Sequence, residues 1–267
     1  MKPATDTPLE RYIRALESIA LSQDGLGVSG LADRCGLSVA TAHRLLQNLQ
    51  ATGLIVAAGG KRKDYKIGPR LLRILHAGSD SAWLAIAVQP VLNALADRLS
   101  ETCYLARLLG DEVVSVAWAA PSSGLRGYVV PGLALAPHVA ASAKAIMAFQ
   151  APDMIDRVLS APLAKLTPET RTERAEIEQD YAGVRNRGYA TCWNEMEQGL
   201  GALAVPIPLA GVGVLYSVGT AGLLERMTKK PEQDYIQALH SAVEPLTRAL
   251  KERPPEVQAA SGGRSAP

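Results

Sequence analysis

The amino-acid sequence predicts an α+β protein of two domains, with a winged helix-turn-helix at the N-terminus and a larger α/β domain at the C-terminus. Three observations lead to this fold class. The 267 residues are enough for two hydrophobic cores of unequal size. The first quarter combines short helical patterns, a glycine turn and a basic hairpin. The remainder mixes strand and helix patterns in an order typical of a sheet covered by helices.

The first helices are indicated by apolar spacing and by their end signals. Apolar residues recur every three or four positions over residues 8–22, which predicts an amphipathic helix. A short helix is expected over residues 28–35, because Gly36 stands where a left-handed C-cap usually needs glycine. Ser38 is a favourable N-cap for a longer helix that continues to about Thr52. Two helices joined by a tight glycine turn predict a helix-turn-helix.

A basic hairpin follows these helices, with strands expected over residues 54–57 and 64–67. The second helix of a helix-turn-helix places its first turns in the major groove of duplex DNA, and a basic wing contacts the backbone or a minor groove. A basic triplet that stood alone would more often be a solvated loop, but its place after a helix-turn-helix favours contact with DNA. The predicted DNA-binding residues are Ser38, Val39, Ala40, Thr41, His43, Arg44, Gln47, Lys61, Arg62 and Lys63.

Charge is distributed unevenly along the chain. The first 76 residues hold eleven lysines and arginines against six aspartates and glutamates, whereas the net charge of the whole chain is +2. A basic first quarter predicts that this end binds a polyanion. Since no apolar run is long enough to span a membrane and no signal peptide is recognisable, a cytoplasmic protein is expected. The three cysteines are far apart, which favours reduced thiols over a disulfide framework or a metal site.

The rest of the chain alternates between strand and helix patterns. Helices over residues 69–78 and 83–99 are expected to connect the two domains. Further helices are predicted over residues 142–150, 168–187 and 232–251, with Thr167 and Gly188 capping the second of them. Strands are predicted over residues 102–109, 112–119, 125–130, 202–208 and 213–218, and those from both ends of the domain are expected to share one sheet.

Segments in both halves resemble motifs of the IclR family of bacterial transcriptional regulators. In the first half these are residues 31–38, 41–46, 53–54 and 65–68, and in the second half residues 137–145, 188–189, 195 and 199–206. The resemblance implies a C-terminal GAF-like effector-binding domain, a homodimer or homotetramer, and control of operator binding by a small organic or aromatic acid. Ala143 replaces a glycine of the family pattern, Ala202 replaces a cysteine, and Val39 and Ala40 replace polar residues.

The resemblance also implies the division of the chain and the location of an effector pocket. We expect a DNA-binding domain over residues 8–68, a linker helix over 69–80, an effector-binding and oligomerisation domain over 81–252, and a disordered tail over 253–267. Ser142 and the amides at its helix start could hold a carboxylate. Packing in the core would explain the apolar pocket candidates equally well. The pocket candidates are Leu125, Tyr128, Leu135, Ala141, Ser142, Cys192, Trp193, Ala202 and Ser217.

The alternative hypothesis is a ligand-binding enzyme or redox sensor whose N-terminal domain only pairs subunits. Ser142 and Lys144 do not have the spacing of a serine acylation motif, and the four histidines are scattered along the chain. Glu195 and Glu197 could form a carboxylate pair, which keeps a metal effector open as a minor possibility. We therefore expect no catalytic residue, no metal site and no cofactor.

Overall fold

The computed structural model describes residues 7–22, 25–58, 63–71, 74, 81–122 and 132–251. The predicted strand over residues 125–130, most of the predicted helix over 69–78 and the tail beyond residue 252 lie outside this part of the chain. Four predicted site residues also lie outside it, namely Lys61, Arg62, Leu125 and Tyr128.

The N-terminal domain is a winged helix-turn-helix, as predicted. Gly36 ends the second helix in the left-handed conformation at φ 63°, and Ser38 caps the third helix. The wing strands pair antiparallel, and Tyr65 of the second also exchanges two backbone hydrogen bonds with Leu26, which ties the wing to the helices. The elements are α1 (Pro8–Ala20), α2 (Val28–Cys35), α3 (Val39–Ala51), β1 (Ile55–Ala58) and β2 (Asp64–Ile67).

Buried side chains from the three helices and the two wing strands form one core. Leu31 of α2, Leu46 of α3 and Ile55 of β1 are fully buried in this core. The ring of Tyr65 from β2 is buried in the same core. Burying such aliphatic side chains contributes roughly 1.5–3 kcal/mol each, which holds the short helices together. The opposite face of α3 is consequently left to solvent.

The C-terminal domain is an α/β domain built on one antiparallel sheet with strand order β4-β3-β7-β6-β5. Its strands are β3 (Thr102–Leu109), β4 (Glu112–Ala119), β5 (Ala190–Trp193), β6 (Leu200–Leu209) and β7 (Gly213–Leu223). Its helices are α4 (Ser81–Leu99), α5 (Ala141–Met147), α6 (Pro152–Leu159), α7 (Arg174–Arg187), α8 (Leu224–Met227) and α9 (Glu232–Lys251).

The order of strands confirms that both ends of the domain contribute to one sheet, because β3 pairs with β7. Helices α4 and α9 pack against each other and against the sheet, whereas the short helix α5 packs against β6 and β7. Every residue of α5 is buried. None of the helices among the described residues is long and apolar enough to cross a bilayer.

The helix predicted over residues 168–187 starts later than expected. It begins at Arg174, and Thr167 is not its cap, because Thr167 and Thr170 form a separate turn. The hydroxyl of Thr170 accepts from two backbone amides of this turn and donates to the carbonyl of Glu195 at 2.6 Å. Gly188 ends the helix in the left-handed conformation, as predicted.

Three further predictions for the C-terminal domain differ from the structure. The helix predicted over residues 142–150 ends at Met147. Strands β6 and β7 extend beyond their predicted ends, to Leu209 and Leu223, and β5 and α6 were not predicted. Strand β5 has only four residues, and unlike the wing strands it is not joined to its partner by a short glycine-rich turn that marks a hairpin.

Candidate nucleic-acid interface and ligand cavity

The outer face of α3 is exposed along its first two turns. Ser38 caps the helix by accepting a hydrogen bond from the amide of Thr41 at 3.2 Å, and the two hydroxyl oxygens lie 2.9 Å apart. Val39, the first residue of the helix, is 59% exposed. Thr41 is half-buried, while the other predicted residues on this helix are exposed, namely Ser38, Val39, Ala40, His43, Arg44 and Gln47.

All charged residues in the stretch of sequence that contains α3 are positive. No aspartate or glutamate occurs between Asp33 and Asp64, whereas five lysines and arginines do. Lys63 is exposed at the start of the wing strand β2, and Lys66 is exposed further along the same strand. Lys66 was missing from the predicted DNA-binding residues, although alternation with the buried Tyr65 on a two-stranded wing would have indicated it.

One row of residues across the sheet forms the floor of a cavity of about 410 Å³. In the strand register, Thr102 lies opposite Ala221, Ala221 opposite Ala202, and Ala202 opposite Cys192. Residues directly opposite each other on neighbouring strands point to the same face. The two alanines leave space above the sheet, and the volume falls within the range of roughly 300–1,000 Å³ that small-molecule sites occupy.

The walls of the cavity are mainly apolar. Leu133, Leu135, Met196, Leu200 and Leu223 contribute aliphatic surface, and Ala140 and Ala141 stand at the start of α5. Of the predicted pocket residues, the structure brings together Leu135, Ala141, Cys192 and Ala202 around this space.

Three other predicted pocket residues lie next to the cavity without lining it. Ser217 donates a hydrogen bond to the carbonyl of Ser142 at 3.0 Å, and both side chains are fully buried behind the wall. The ring of Trp193 covers Gly201, where an added Cβ would lie 2.6 Å from it. These contacts hold α5 and β5 in place beside the cavity.

Sequence analysis missed several lining residues, among them Thr102, Tyr104 and Arg226. Thr102 and Tyr104 alternate along β3, and the antiparallel register brings them beside Ala221 and Gly219 of β7. The pairing of β3 with β7 joins segments more than a hundred residues apart, so no local pattern could have located these side chains.

Arg226 is the only lysine, arginine or histidine among the described residues that line the cavity. It donates through Nε and Nη2 to the carboxylate of Glu101, which is 1% exposed, and this hydrogen bond raises the pKa of Arg226. Gly222 allows this approach, because a Cβ at this position would overlap with the Glu101 carboxylate.

A second buried charge cluster joins α5 to the segment after β5. Lys144 is fully buried, and its Nζ donates to both carboxylate oxygens of Glu195 at 3.0 and 2.9 Å and lies 3.0 Å from Oδ2 of Asp180. Arg171 lies 3.5 Å from each of these two carboxylates. Because Glu195 and Asp180 occupy its ammonium group, Lys144 is not available as a base for Ser142.

The buried thiols are unreactive in this environment. Burial raises the pKa of Cys103 to about 12 and that of Cys192 to about 11, so both remain protonated at neutral pH. His138 is also engaged, with Nε2 3.0 Å from the carbonyl of Ala164. Within the described ranges, no cluster of three or more histidines, cysteines, aspartates and glutamates could hold a metal ion.

Comparison with known proteins identifies the family. The model of the IclR helix-turn-helix domain matches residues 8–58, and that of the bacterial transcriptional regulator IclR C-terminal domain matches residues 77–248. The HTH-type transcriptional regulator BhcR of Paracoccus denitrificans is 31% identical over 205 residues, covering 76% of this chain and 73% of its own. The glycerol operon regulatory protein of Streptomyces griseus is 29% identical, covering 91% of this chain and 95% of its own.

Solved structures agree with this assignment. The structure of an IclR-type transcriptional regulator from Silicibacter sp. TM1040 is 29% identical, with a TM-score of 0.61 over 93% of this chain and 98% of that one. An IclR homolog from Microbacterium hydrocarbonoxydans, complexed with 4-hydroxybenzoate, has the same fold at 22% identity, with a TM-score of 0.58 over 91% of this chain and 99% of that one. With two family models that together match most of its length, this chain belongs to the IclR family of bacterial transcriptional regulators.

Proposed function

We propose that this regulator binds an operator through α3 and the wing, and that a small organic or aromatic acid in the cavity of the C-terminal domain modulates this binding. The proposal includes the domain limits given above, with residues 69–80 as the linker, and a homodimer or homotetramer as the assembly. The observation that carries it is the exposed outer face of α3, which lies in a stretch of sequence free of carboxylates.

The DNA-binding part of the proposal follows from the geometry of α3. His43 and Arg44 lie on one turn of its exposed face and Gln47 lies on the next, so they can reach base edges and phosphates from one groove. The hydroxyl oxygen of Ser38 accepts the hydrogen bond that caps the helix. Ser38 therefore contributes to binding by holding the first turn in place. Lys63 and Lys66 add attraction for the phosphate backbone without reading sequence.

Binding to the DNA upstream of its own gene tests this part, with fluorescence anisotropy at several salt concentrations. We expect an affinity that falls steeply with salt, and an Arg44→Ala variant whose affinity is about tenfold lower. Arg248→Ala removes an equally exposed arginine from α9 and serves as the matched control. Salt-insensitive binding, or equal losses in both variants, would contradict the proposed interface.

The effector part rests on the cavity. Its mainly apolar walls suit an aliphatic or aromatic body, and Arg226 offers N–H donors, although Glu101 balances its charge and Glu197 also lines the cavity. Arg226 uses Nε and Nη2 for Glu101, and Nη1 has no partner among the described residues, so it can donate to a carboxylate. The related Microbacterium structure in complex with 4-hydroxybenzoate supports an aromatic acid as one candidate.

A thermal-shift screen of organic and aromatic acids tests the effector part. A ligand that binds only the folded protein raises its melting temperature, by an amount that grows with the ratio of ligand concentration to Kd. Acids that stabilise the protein should also change its affinity for the operator. If no acid raises the melting temperature, the effector class is wrong, although the DNA-binding part stands.

The redox-sensor alternative has less support. Cys103 and Cys192 are buried and hold their protons, and the ammonium group of Lys144 is already paired with Glu195 and Asp180. An enzyme would need a nucleophile with an available base, and Ser142 has no such neighbour in the described structure.

A further inference from the structure

Two hydroxyl groups meet at one end of the cavity, above Gly219 of β7. The ring carbon of Tyr104 that carries its hydroxyl lies 3.0 Å from the position a Cβ would take at Gly219, and the hydroxyl oxygen of Ser142 lies 2.8 Å from it. The absence of a side chain at Gly219 therefore lets both groups approach the sheet. Tyr104 lines the cavity, and the two residues before Ser142 line it as well.

The hydroxyl of Ser142 lacks a partner of normal geometry. Ser142 is fully buried, and its Oγ has no hydrogen bond within the described part of the chain. Buried polar groups are normally satisfied, and the residue that interacts with Ser142 and lines the cavity is Tyr104, so a ligand can complete this pair of hydroxyl groups through Tyr104. The backbone of Ser142 is fixed by the hydrogen bond from Ser217, which keeps this hydroxyl in place.

Neither hydroxyl group carries a charge. Burial raises the pKa of Tyr104 to about 12, and its contact with Ser142 opposes this rise only in part. Tyr104 is therefore a neutral phenol that can both donate and accept a hydrogen bond. Arg226 approaches β7 near Gly222, three residues or about 10 Å along the strand from Gly219 and on the opposite side of the strand, where it is paired with Glu101. The two hydroxyl groups and this ion pair therefore lie at separate places beside the cavity, whose lining also includes Glu197.

We propose that Tyr104, positioned by Ser142, binds a hydroxyl group of the effector, so that the cavity selects hydroxylated carboxylic acids over the same acids without the hydroxyl. This inference rests on the proposed function and specifies its ligand class. The hydroxyl group of the ligand hydrogen-bonds to the phenol of Tyr104, and its carboxylate lies away from Tyr104, towards Arg226. Tyr104 is a specificity-determining residue that sequence analysis did not identify.

Isothermal titration calorimetry on the full-length protein tests this inference with two pairs of acids that differ by one hydroxyl. The pairs are 4-hydroxybenzoate with benzoate, and 4-hydroxyphenylacetate with phenylacetate, because the hydroxyl and the carboxylate lie at opposite ends of each hydroxylated acid. For at least one pair, we expect the hydroxylated acid to bind about tenfold more tightly than its partner. Tyr104→Phe removes only the hydroxyl and should abolish this preference, with the loss confined to the hydroxylated acid. Ser142→Ala should reduce the preference in the same direction.

The control variant is Tyr189→Phe, which removes a phenol hydroxyl outside the cavity and should leave the preference unchanged. Equal affinity of the wild-type protein for both members of each pair would overturn the inference while leaving the effector site intact. An equal loss for both members in Tyr104→Phe would also overturn it, because that result indicates altered packing. If none of the four acids binds but other acids in the thermal-shift screen do, the hydroxylated class is wrong and the proposed effector site remains.

Discussion

Gly222 lies near the end of β7, beside the buried carboxylate of Glu101 that accepts hydrogen bonds from Arg226. A methyl group at this position would overlap with that carboxylate and force the ion pair apart. We expect Gly222→Ala to lower the free energy of unfolding by about 3 kcal/mol, because a buried charge that loses its partner is costly. Urea unfolding followed by circular dichroism measures this change.

Gly183 offers the matched control for this substitution. It lies inside α7, and a Cβ there would meet only the flexible end of Arg187, at 3.3 Å. Since alanine is favoured over glycine within a helix, Gly183→Ala should raise the free energy of unfolding by roughly 0.5–1 kcal/mol. Similar destabilisation in both variants would show that the Glu101–Arg226 pair is not the cause.

Asp180 has a pKa below its ordinary value, and the sign of this shift determines when it stabilises the fold. Burial acts to raise the pKa of Asp180, but Lys144, Arg171 and Arg187 outweigh burial and lower it. A carboxylate with a lowered folded-state pKa contributes stability above its unfolded pKa of about 3.9, and this contribution disappears as the pH falls through the folded value.

Asp180→Asn should therefore be less stable than the wild-type protein at pH 7, by about 2 kcal/mol. The difference between the two proteins should shrink as the pH falls below about 4. Urea titrations across this range test the prediction, with Asp153→Asn as the variant of an exposed carboxylate in the same domain. A difference that is independent of pH would mean that Asp180 acts through packing rather than charge.

Residues of the site were predictable from the sequence to different degrees, for physical reasons. The exposed face of α3 depends on helical spacing and an N-cap within the same segment, both of which are visible locally. The position of the Tyr104 side chain depends on the register between β3 and β7. The position of Arg226 depends on Gly222, which leaves room for its partner Glu101. Such placements arise from tertiary pairing, which a single sequence does not display.

At the scale of elements, α3 combines a stable start with an exposed binding face. Ser38→Ala removes the cap and should lower the free energy of unfolding by about 1 kcal/mol. Ser38→Asp keeps a capping oxygen, so it should be nearly as stable as the wild-type protein. It nevertheless adds a negative charge to the proposed interface and should bind DNA much more weakly than Ser38→Ala. Thermal unfolding and fluorescence anisotropy separate these two effects.

The first helix supplies the control for this pair. Thr7 caps α1 in the same way, accepting from the amide of Glu10 at 3.2 Å. Thr7→Ala should lower stability by a similar amount without changing the affinity for DNA. Equal DNA affinity in Ser38→Asp and Ser38→Ala would contradict the placement of this end of α3 against a phosphate backbone.

Elements with local start and stop signals were the ones that sequence patterns predicted well. Helices α2 and α3 end or begin at Gly36 and Ser38, and both limits are confirmed. The predicted start of α7 was wrong, because residues 167–170 form a non-helical turn. This turn is stabilised by the hydrogen bond from Thr170 to the carbonyl of Glu195, 25 residues away. Propensity and capping rules do not include such long-range hydrogen bonds.

For the whole molecule, an effector in the C-terminal domain can change DNA binding only if its free energy of binding differs between two arrangements of the DNA-binding domains. The segment after the wing is the covalent connection through which such a difference must act. Gly68 packs so closely against the turn after α3 that a Cβ would overlap with the carbonyl of Gly53, and its amide donates to Leu54 at 2.7 Å.

Arg70 makes the second attachment between this connection and α3. Its Nη1 donates to the carbonyl of Thr52 at 2.9 Å, at the residue that caps the C-terminal end of the helix. A movement of the segment that contains Arg70 would therefore displace the C-terminal end of α3. Arg70→Ala should reduce the change in DNA affinity that an effector causes, while leaving the affinity for the effector within about twofold.

Operator affinity measured with and without a saturating acid, in the wild-type protein and in Arg70→Ala, gives the coupling free energy for each. Lys66→Ala removes a neighbouring exposed cation from β2 and should lower DNA affinity equally with and without the acid, because it has no contact with the end of α3. Were Arg70→Ala to behave like Lys66→Ala, Arg70 would act only as a phosphate contact, and the effector signal would have to reach α3 through Gly68 and the wing.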